Sequence, residues 1–184
     1  MNLNGLARGY LGAFFREDSQ VEGGFAFHVE LKALNIDYSL ESLDRLDVFM
    51  DQLRASQQGR EDEFIREQAN QNMLYLLAFY LGDVVSARTE ARIDWFSFDA
   101  LVAMEPSYKI AGPAFYSSAV CIFNRTASSV GSDFFPLNAI TTRIFEDATK
   151  SARDVVAHGH LEWRTGCLGP HRAGEQSAVR PRAG

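Results

Sequence analysis

The segment NMLYLLAFYLGD, residues 72–83, decides the fold of this chain. Wound as a helix at about 100° per residue, it carries apolar side chains on every side. One side has Leu74, Leu77 and Leu81, a second has Met73, Leu76 and Tyr80, and a third has Tyr75 and Phe79. A helix without a polar face must be surrounded by other elements. Because a membrane span needs about 20 apolar residues, this shorter run predicts the central helix of a globular core.

Composition limits the class of protein further. At 184 residues with 46% apolar content, the chain fits one globular domain. The net charge of −6 argues against binding to nucleic acid, which requires a basic face, and against an anionic membrane surface. The first residues lack the basic and long apolar regions of a signal peptide, so we expect a cytoplasmic protein. Its two cysteines, Cys121 and Cys167, do not predict a disulfide framework.

Helical patterns dominate the first half of the chain. Residues 5–17 have the apolar spacing of an amphipathic helix, and residues 39–55 predict a second helix with Ser39 as its N-cap. The central helix is expected from about residue 62 to 88, with a polar first half. Residues 25–34 fit both a helix and an alternating strand; we favour the helix and keep the strand as the alternative.

The pattern changes after residue 91. Residues 93–98 alternate as in a strand, and residues 115–125, FYSSAVCIFNR, are the clearest strand of the sequence. Helices are expected at residues 134–146 and 151–163, before a disordered tail rich in Gly, Pro and Arg at residues 164–184. This order predicts an α+β fold: a helix-rich single domain, residues 1–163, with a small antiparallel sheet packed on the buried central helix.

Asp83 is the main candidate for a functional residue. It follows Gly82 in the apolar segment and precedes Trp95, and Arg88 and Arg92 are the nearest basic residues in the sequence. A carboxylate buried there needs a hydrogen bond or a cation, and its pKa should rise. We expect a structural carboxylate whose replacement by Asn destabilises the fold. The alternative is a binding site formed by these four charged and aromatic residues.

Two other groups of polar residues are candidates for binding. Asp44, Asp47 and Asp51 share one face of the helix at 39–55, which we expect to be a solvated outer face rather than a cation site. His158, His160 and Glu162 would share one side of an extended segment and could then bind a transition metal. In a helix they scatter, so we expect exposed histidines, no bound metal and no other cofactor.

Two short motifs occur together in this sequence: SLESLD at residues 39–44, and YLGD at residues 80–83 followed by Trp95. This combination resembles a set of uncharacterised bacterial α+β proteins whose signature is roughly SLxSLD, then YLG[DE], then tryptophan. Asp83 stands where we would expect glutamate, which shortens the reach of the carboxylate. The set has no assigned activity, so the resemblance implies a compact bacterial cytosolic domain and no particular chemistry.

The sequence favours binding over catalysis. It contains no G-x-S-x-G nucleophile motif and no phosphate-binding loop. Its 14 Phe, 6 Tyr and 2 Trp residues supply material for an apolar cleft or interface. We therefore expect a non-enzymatic cytosolic binding or protein-interaction domain, with a homodimer as one form of interaction. The alternative is a hydrolase-like small-molecule enzyme that uses Asp83 as an acid or base near Trp95.

Overall fold

The structure is a computed structural model that describes residues 2–17, 20–57, 60–89, 91–111, 115–124, 132–146, 148 and 151–157. The helices are α1 (Leu3–Phe15), α2 (His28–Ala33), α3 (Leu40–Gln57), α4 (Glu61–Phe64), α5 (Gln68–Thr89), α6 (Phe98–Met104), α7 (Pro136–Thr141) and α8 (residues 152–157). The strands are β1 (Arg92–Phe96), β2 (Val120–Asn124) and β3 (Ser132–Phe134). Two 3₁₀ turns, Pro106–Ala111 and Phe115–Ser117, precede β2, and a π turn, Thr142–Glu146, follows α7.

The central helix is α5, as the apolar segment predicts. Leu74 and Leu77 have no exposed surface, and Leu81 is 1% exposed. The helix packs against α1, α7 and β1, so its apolar sides all meet protein. It begins at Gln68 rather than near residue 62. In the preceding bend, the amide of Asn70 donates to the Phe64 carbonyl at 3.0 Å and separates α4 from α5.

The three strands form one antiparallel sheet in the order β1-β2-β3. In the register, Trp95 of β1 is opposite Cys121 of β2, and Cys121 is opposite Phe134 of β3. The prediction of a helix-rich α+β domain with a small antiparallel sheet on the central helix is confirmed. The predicted strand at 115–125 begins five residues late because Phe115–Ser117 forms a turn, which the Ser118 hydroxyl closes by donating to the Phe115 carbonyl.

Residues 25–34 contain the favoured helix, α2, but only from His28 onward. Phe27 has a φ of 54°, a left-handed conformation that a strand would not allow. The boundary at residue 163 and the tail at 164–184 lie outside the described residues and stay predictions. Within the part of the chain that the structure describes, no helix has the length and apolarity needed to cross a bilayer.

Of the three acidic residues of α3 that were expected on a solvated face, Asp44 is exposed and Asp51 partly exposed, but Asp47 is buried. Asp47 is only 8% exposed, accepts a 2.7 Å hydrogen bond from the Ala152 backbone N–H and lies 3.2 Å from Nε of Arg143. Asp51 is 3.0 Å from the same guanidinium. Asp47 therefore helps to hold the π turn and α8 against α3. The expectation was wrong for this residue because those elements, distant in the chain, cover it and supply its partners.

Candidate functional site

A cleft of about 440 Å³ opens between α1, the loop before α3, and α5. Its lining residues are Arg8, Leu11, Phe15, Arg16, Tyr38 and Asp83. The α1 residues are spaced so that Arg8, Leu11 and Phe15 share one face of the helix. The cleft thus has an apolar wall, two guanidinium groups, one phenol and one carboxylate.

Asp83 is the half-buried acid of this cleft. It lies in the fifth turn of α5, six residues before the helix ends at Thr89, and not at the helix terminus. No hydrogen bond or ion pair joins its carboxylate to any residue that the structure describes. Burial raises the pKa of Asp83 to about 6, and no cation offsets this effect. The two arginines therefore line the cleft without neutralising the acid.

Tyr38 contributes the phenol and adopts a strained backbone conformation. Its φ of 65° is left-handed, which is rare for a bulky side chain. Its backbone N–H donates to the Tyr80 hydroxyl at 3.0 Å, and its ring lies 5.1 Å from that of Tyr80 and 5.4 Å from that of Phe15. Burial and the charge of Asp83 raise the pKa of Tyr38 to about 12. Packing thus holds the phenol in the cleft, protonated at neutral pH.

The two short motifs of the sequence fix this loop to α5. Ser39 accepts a 3.0 Å hydrogen bond from the Ser42 backbone N–H, as an N-cap of α3 does. The Ser42 hydroxyl in turn lies 2.6 Å from the Tyr80 hydroxyl. The SLESLD and YLGD motifs therefore meet through Ser42 and Tyr80, directly behind Tyr38.

Trp95 does not line the cleft. It is buried, and its ring packs edge-on against Phe79 with centroids 4.9 Å apart. The absence of a side chain at Gly82 lets the Trp95 ring approach α5 closely, since a Cβ atom at that position would lie 2.5 Å from Cζ2 of Trp95. Cys121, which is buried and free, lies beside the same glycine. Trp95 therefore supports the side of α5 that faces the sheet.

The basic residues expected near Asp83 lie elsewhere. Arg88 is exposed, and Arg92 is 80% exposed and lies 3.4 Å from Asp94. Among the described residues, neither forms an ion pair with Asp83. His158, His160 and Glu162 lie outside the described residues, so the candidate metal site has no structural account. Within the residues that are described, no cluster of His, Cys, Asp or Glu has the arrangement of a metal site.

The structure instead brings Asp83 together with Arg8, Arg16 and Tyr38, which the sequence did not single out. The signal for Arg8 is its position at the edge of the apolar face of α1. That pattern is equally typical of an ordinary surface arginine. No local sequence feature links α1 or the loop at Tyr38 to the fifth turn of α5, where Asp83 lies.

A larger cavity of about 870 Å³ lies on another face of α1. It is lined by Gly5, Leu6, Gly9, Tyr10, Gln20, Val21, Glu22, Gly23 and Gln68. Two of its polar side chains have partners: the Tyr10 hydroxyl donates to Asn72 at 2.7 Å, and the Gln68 amide donates to the same oxygen at 2.8 Å. Unlike Asp83 in the smaller cleft, these two side chains therefore already have hydrogen-bond partners within the protein.

No family model, curated protein or solved structure matches this chain. The chemistry of the cleft is thus inferred from its own side chains. Concave sites with apolar walls and a few convergent polar groups are typical of small-ligand binding. None of the described side chains that line the cleft is a serine, threonine, cysteine or histidine. The arrangement can bind a hydrogen-bond donor at Asp83, but it lacks a nucleophile paired with a base.

Proposed function

We propose that this chain is a non-enzymatic binding domain whose site is the cleft between α1 and α5. The ligand donates a hydrogen bond to the Asp83 carboxylate. The observation that supports this proposal is the missing partner of Asp83 among the described residues. A half-buried carboxylate without a partner destabilises the folded protein, and a ligand that donates to it removes that penalty.

Two further features agree with a binding site. The volume of about 440 Å³ falls in the range of small-ligand pockets, about 300–1,000 Å³. Tyr38 keeps a left-handed backbone conformation that costs about 1–3 kcal/mol, and such strain is concentrated at ligand sites. We place this binding in the cytoplasm, without nucleic acid or membrane as partner, in agreement with the net charge of −6.

The hydrolase-like enzyme is the second candidate, and one observation favours it. A pKa of about 6 suits a general acid or base near neutral pH. An enzyme of this kind would have to use Asp83 to activate water, since the described lining residues supply no nucleophile. If Asp83→Asn removes a measurable hydrolytic activity on a p-nitrophenyl ester, this second candidate replaces the first.

The test of the proposal is the stability of Asp83→Asn without ligand. An unfolded Asp has a pKa near 3.9, so between about pH 4 and 6 the folded chain holds a proton that the unfolded chain has lost. Stability contributed by protonated Asp83 therefore falls as the pH rises through this window. A full two-unit difference would cost about 2.7 kcal/mol, and solvent access to the carboxylate reduces it to about 1 kcal/mol.

We expect Asp83→Asn to raise the free energy of unfolding by about 1 kcal/mol at pH 8 and to change it little at pH 4. Chemical denaturation at both pH values measures the difference, and the exposed Glu67→Gln serves as the control. A variant less stable than wild type at pH 8 would make Asp83 a structural acid and remove the basis of the proposal.

A further inference from the structure

We propose that the ligand is a zwitterion with an apolar side chain, of the α-amino acid class, whose ammonium group binds Asp83 and whose carboxylate binds Arg8. This assignment rests on the proposed binding function and names its ligand class. It follows from three parts of the cleft: the unpartnered acid, an unpartnered guanidinium and the apolar residues that line the cleft with them.

The Asp83 carboxylate favours a ligand with a cationic hydrogen-bond donor. The Asp83 carboxylate has no hydrogen bond or ion pair with the described residues, and α5 and α1 hold it half buried. Hydrogen bonds between ionised groups are about twice as strong as neutral ones, and their attraction grows where water is partly excluded. An ammonium group, with three N–H donors, therefore satisfies Asp83 better than a neutral hydroxyl or amide does.

The opposite charge is supplied by Arg8. Its side chain is exposed on α1, lines the same cleft and has no hydrogen bond or ion pair among the described residues. A guanidinium binds a carboxylate through two parallel N–H bonds, so it fixes the orientation of an acid. Arg16 also lines the cleft but takes part in another interaction, and the assignment does not require it.

The apolar wall selects the rest of the ligand. Leu11, Phe15 and the ring of Tyr38 line the cleft together with the two charged groups. Aromatic rings that already meet at 5.4 Å offer edges and faces to a further ring. A free amino acid with an aromatic side chain combines all three features in a volume below the 440 Å³ of the cleft.

The experiment is a titration of the 184-residue chain with L-phenylalanine, 3-phenylpropionate and L-phenylalaninamide, followed by calorimetry or by NMR shifts. The first probe has both charges, the second lacks the ammonium group and the third lacks the carboxylate. We expect L-phenylalanine to bind at least about tenfold more tightly than either analogue, since each analogue loses one charge-assisted interaction with the cleft.

Matched variants assign each charge. Asp83→Asn should weaken the binding of L-phenylalanine about tenfold and leave the binding of 3-phenylpropionate unchanged. Arg8→Gln should weaken the binding of L-phenylalanine and leave the binding of L-phenylalaninamide unchanged. Equal binding of L-phenylalaninamide and L-phenylalanine would overturn the assignment and indicate a peptide N-terminus. Failure of wild type to bind L-phenylalanine would also overturn it. Neither result affects the binding function itself, which fails separately if ligand-free Asp83→Asn is destabilised.

Discussion

Two acids, Asp47 of α3 and Asp83 of α5, lie on helices of the same core but have opposite surroundings. Asp47 accepts the Ala152 N–H at 2.7 Å and lies 3.2 Å from the Arg143 guanidinium. Burial raises the pKa of both carboxyl groups. At Asp47 the backbone hydrogen bond and the cation oppose this rise, whereas no described group opposes it at Asp83.

The difference separates a structural acid from a candidate site. The partners of Asp47 come from the π turn and α8, so its charge holds distant elements together. The surroundings of Asp83 place arginines along the same cleft but leave its carboxylate unpaired. Burial alone, which the two acids share, does not distinguish them; the presence or absence of a partner does.

The largest loss of stability should come from replacing Asp47, the acid that has partners within the protein. We expect Asp47→Ala to lower the free energy of unfolding by about 3 kcal/mol, because it leaves the buried Arg143 with only part of its compensation. Urea denaturation measures the loss. The matched control is Asp44→Ala, which removes an exposed pair with Arg153 and should cost under about 1 kcal/mol. Similar losses for the two variants would contradict the structural role of Asp47.

Gly82→Ala tests whether Trp95 packs against α5 as part of the core and does not belong to the binding site. The added methyl group would meet the Trp95 ring at 2.5 Å, so we expect a loss of about 2 kcal/mol. Gly9→Ala in α1 has no atom within 4 Å of the new Cβ and should stabilise by up to about 1 kcal/mol. Thermal unfolding of both variants provides the measurement. If Gly82→Ala left the stability unchanged, Trp95 would not be held against α5.

The smallest effect is expected at the phenol of the cleft. No described residue forms a hydrogen bond with the Tyr38 hydroxyl, while its ring packs on Tyr80 and Phe15. Tyr38→Phe keeps the ring and should change the free energy of unfolding by less than about 0.5 kcal/mol. Tyr80→Phe is the contrast, because it removes the bonds to Tyr38 N–H and Ser42, and should cost at least about 1 kcal/mol.

The sequence predicts the core better than the site, for a physical reason. The all-round apolar pattern of residues 73–82 is local, so the burial of Leu77 follows from spacing alone. Asp83 stands out because a carboxylate interrupts that pattern. Its neighbours Arg8 and Tyr38 reach it only through tertiary packing. The left-handed backbone of Tyr38 could not be predicted from its residue type, since bulky residues rarely adopt this conformation.

The acidic residues of α3 also show that the sequence does not predict tertiary contacts. Asp44, Asp47 and Asp51 have the spacing of a solvated helix face, and only Asp47 is buried. What distinguishes it is Arg143 and the N–H of Ala152, both far away in the chain. Helical periodicity reports which residues share a face, but it carries no information about the distant element that covers that face.

The pKa of Asp83, measured by NMR titration of its side-chain carboxyl carbon, tests the central claim most directly. An unpartnered, half-buried carboxylate should titrate near pH 6, and addition of a cationic ligand should lower this value. A pKa at or below the unfolded value of about 3.9 would mean that a cation or hydrogen-bond donor of the protein already satisfies Asp83. That result would contradict the account of the cleft as a binding site.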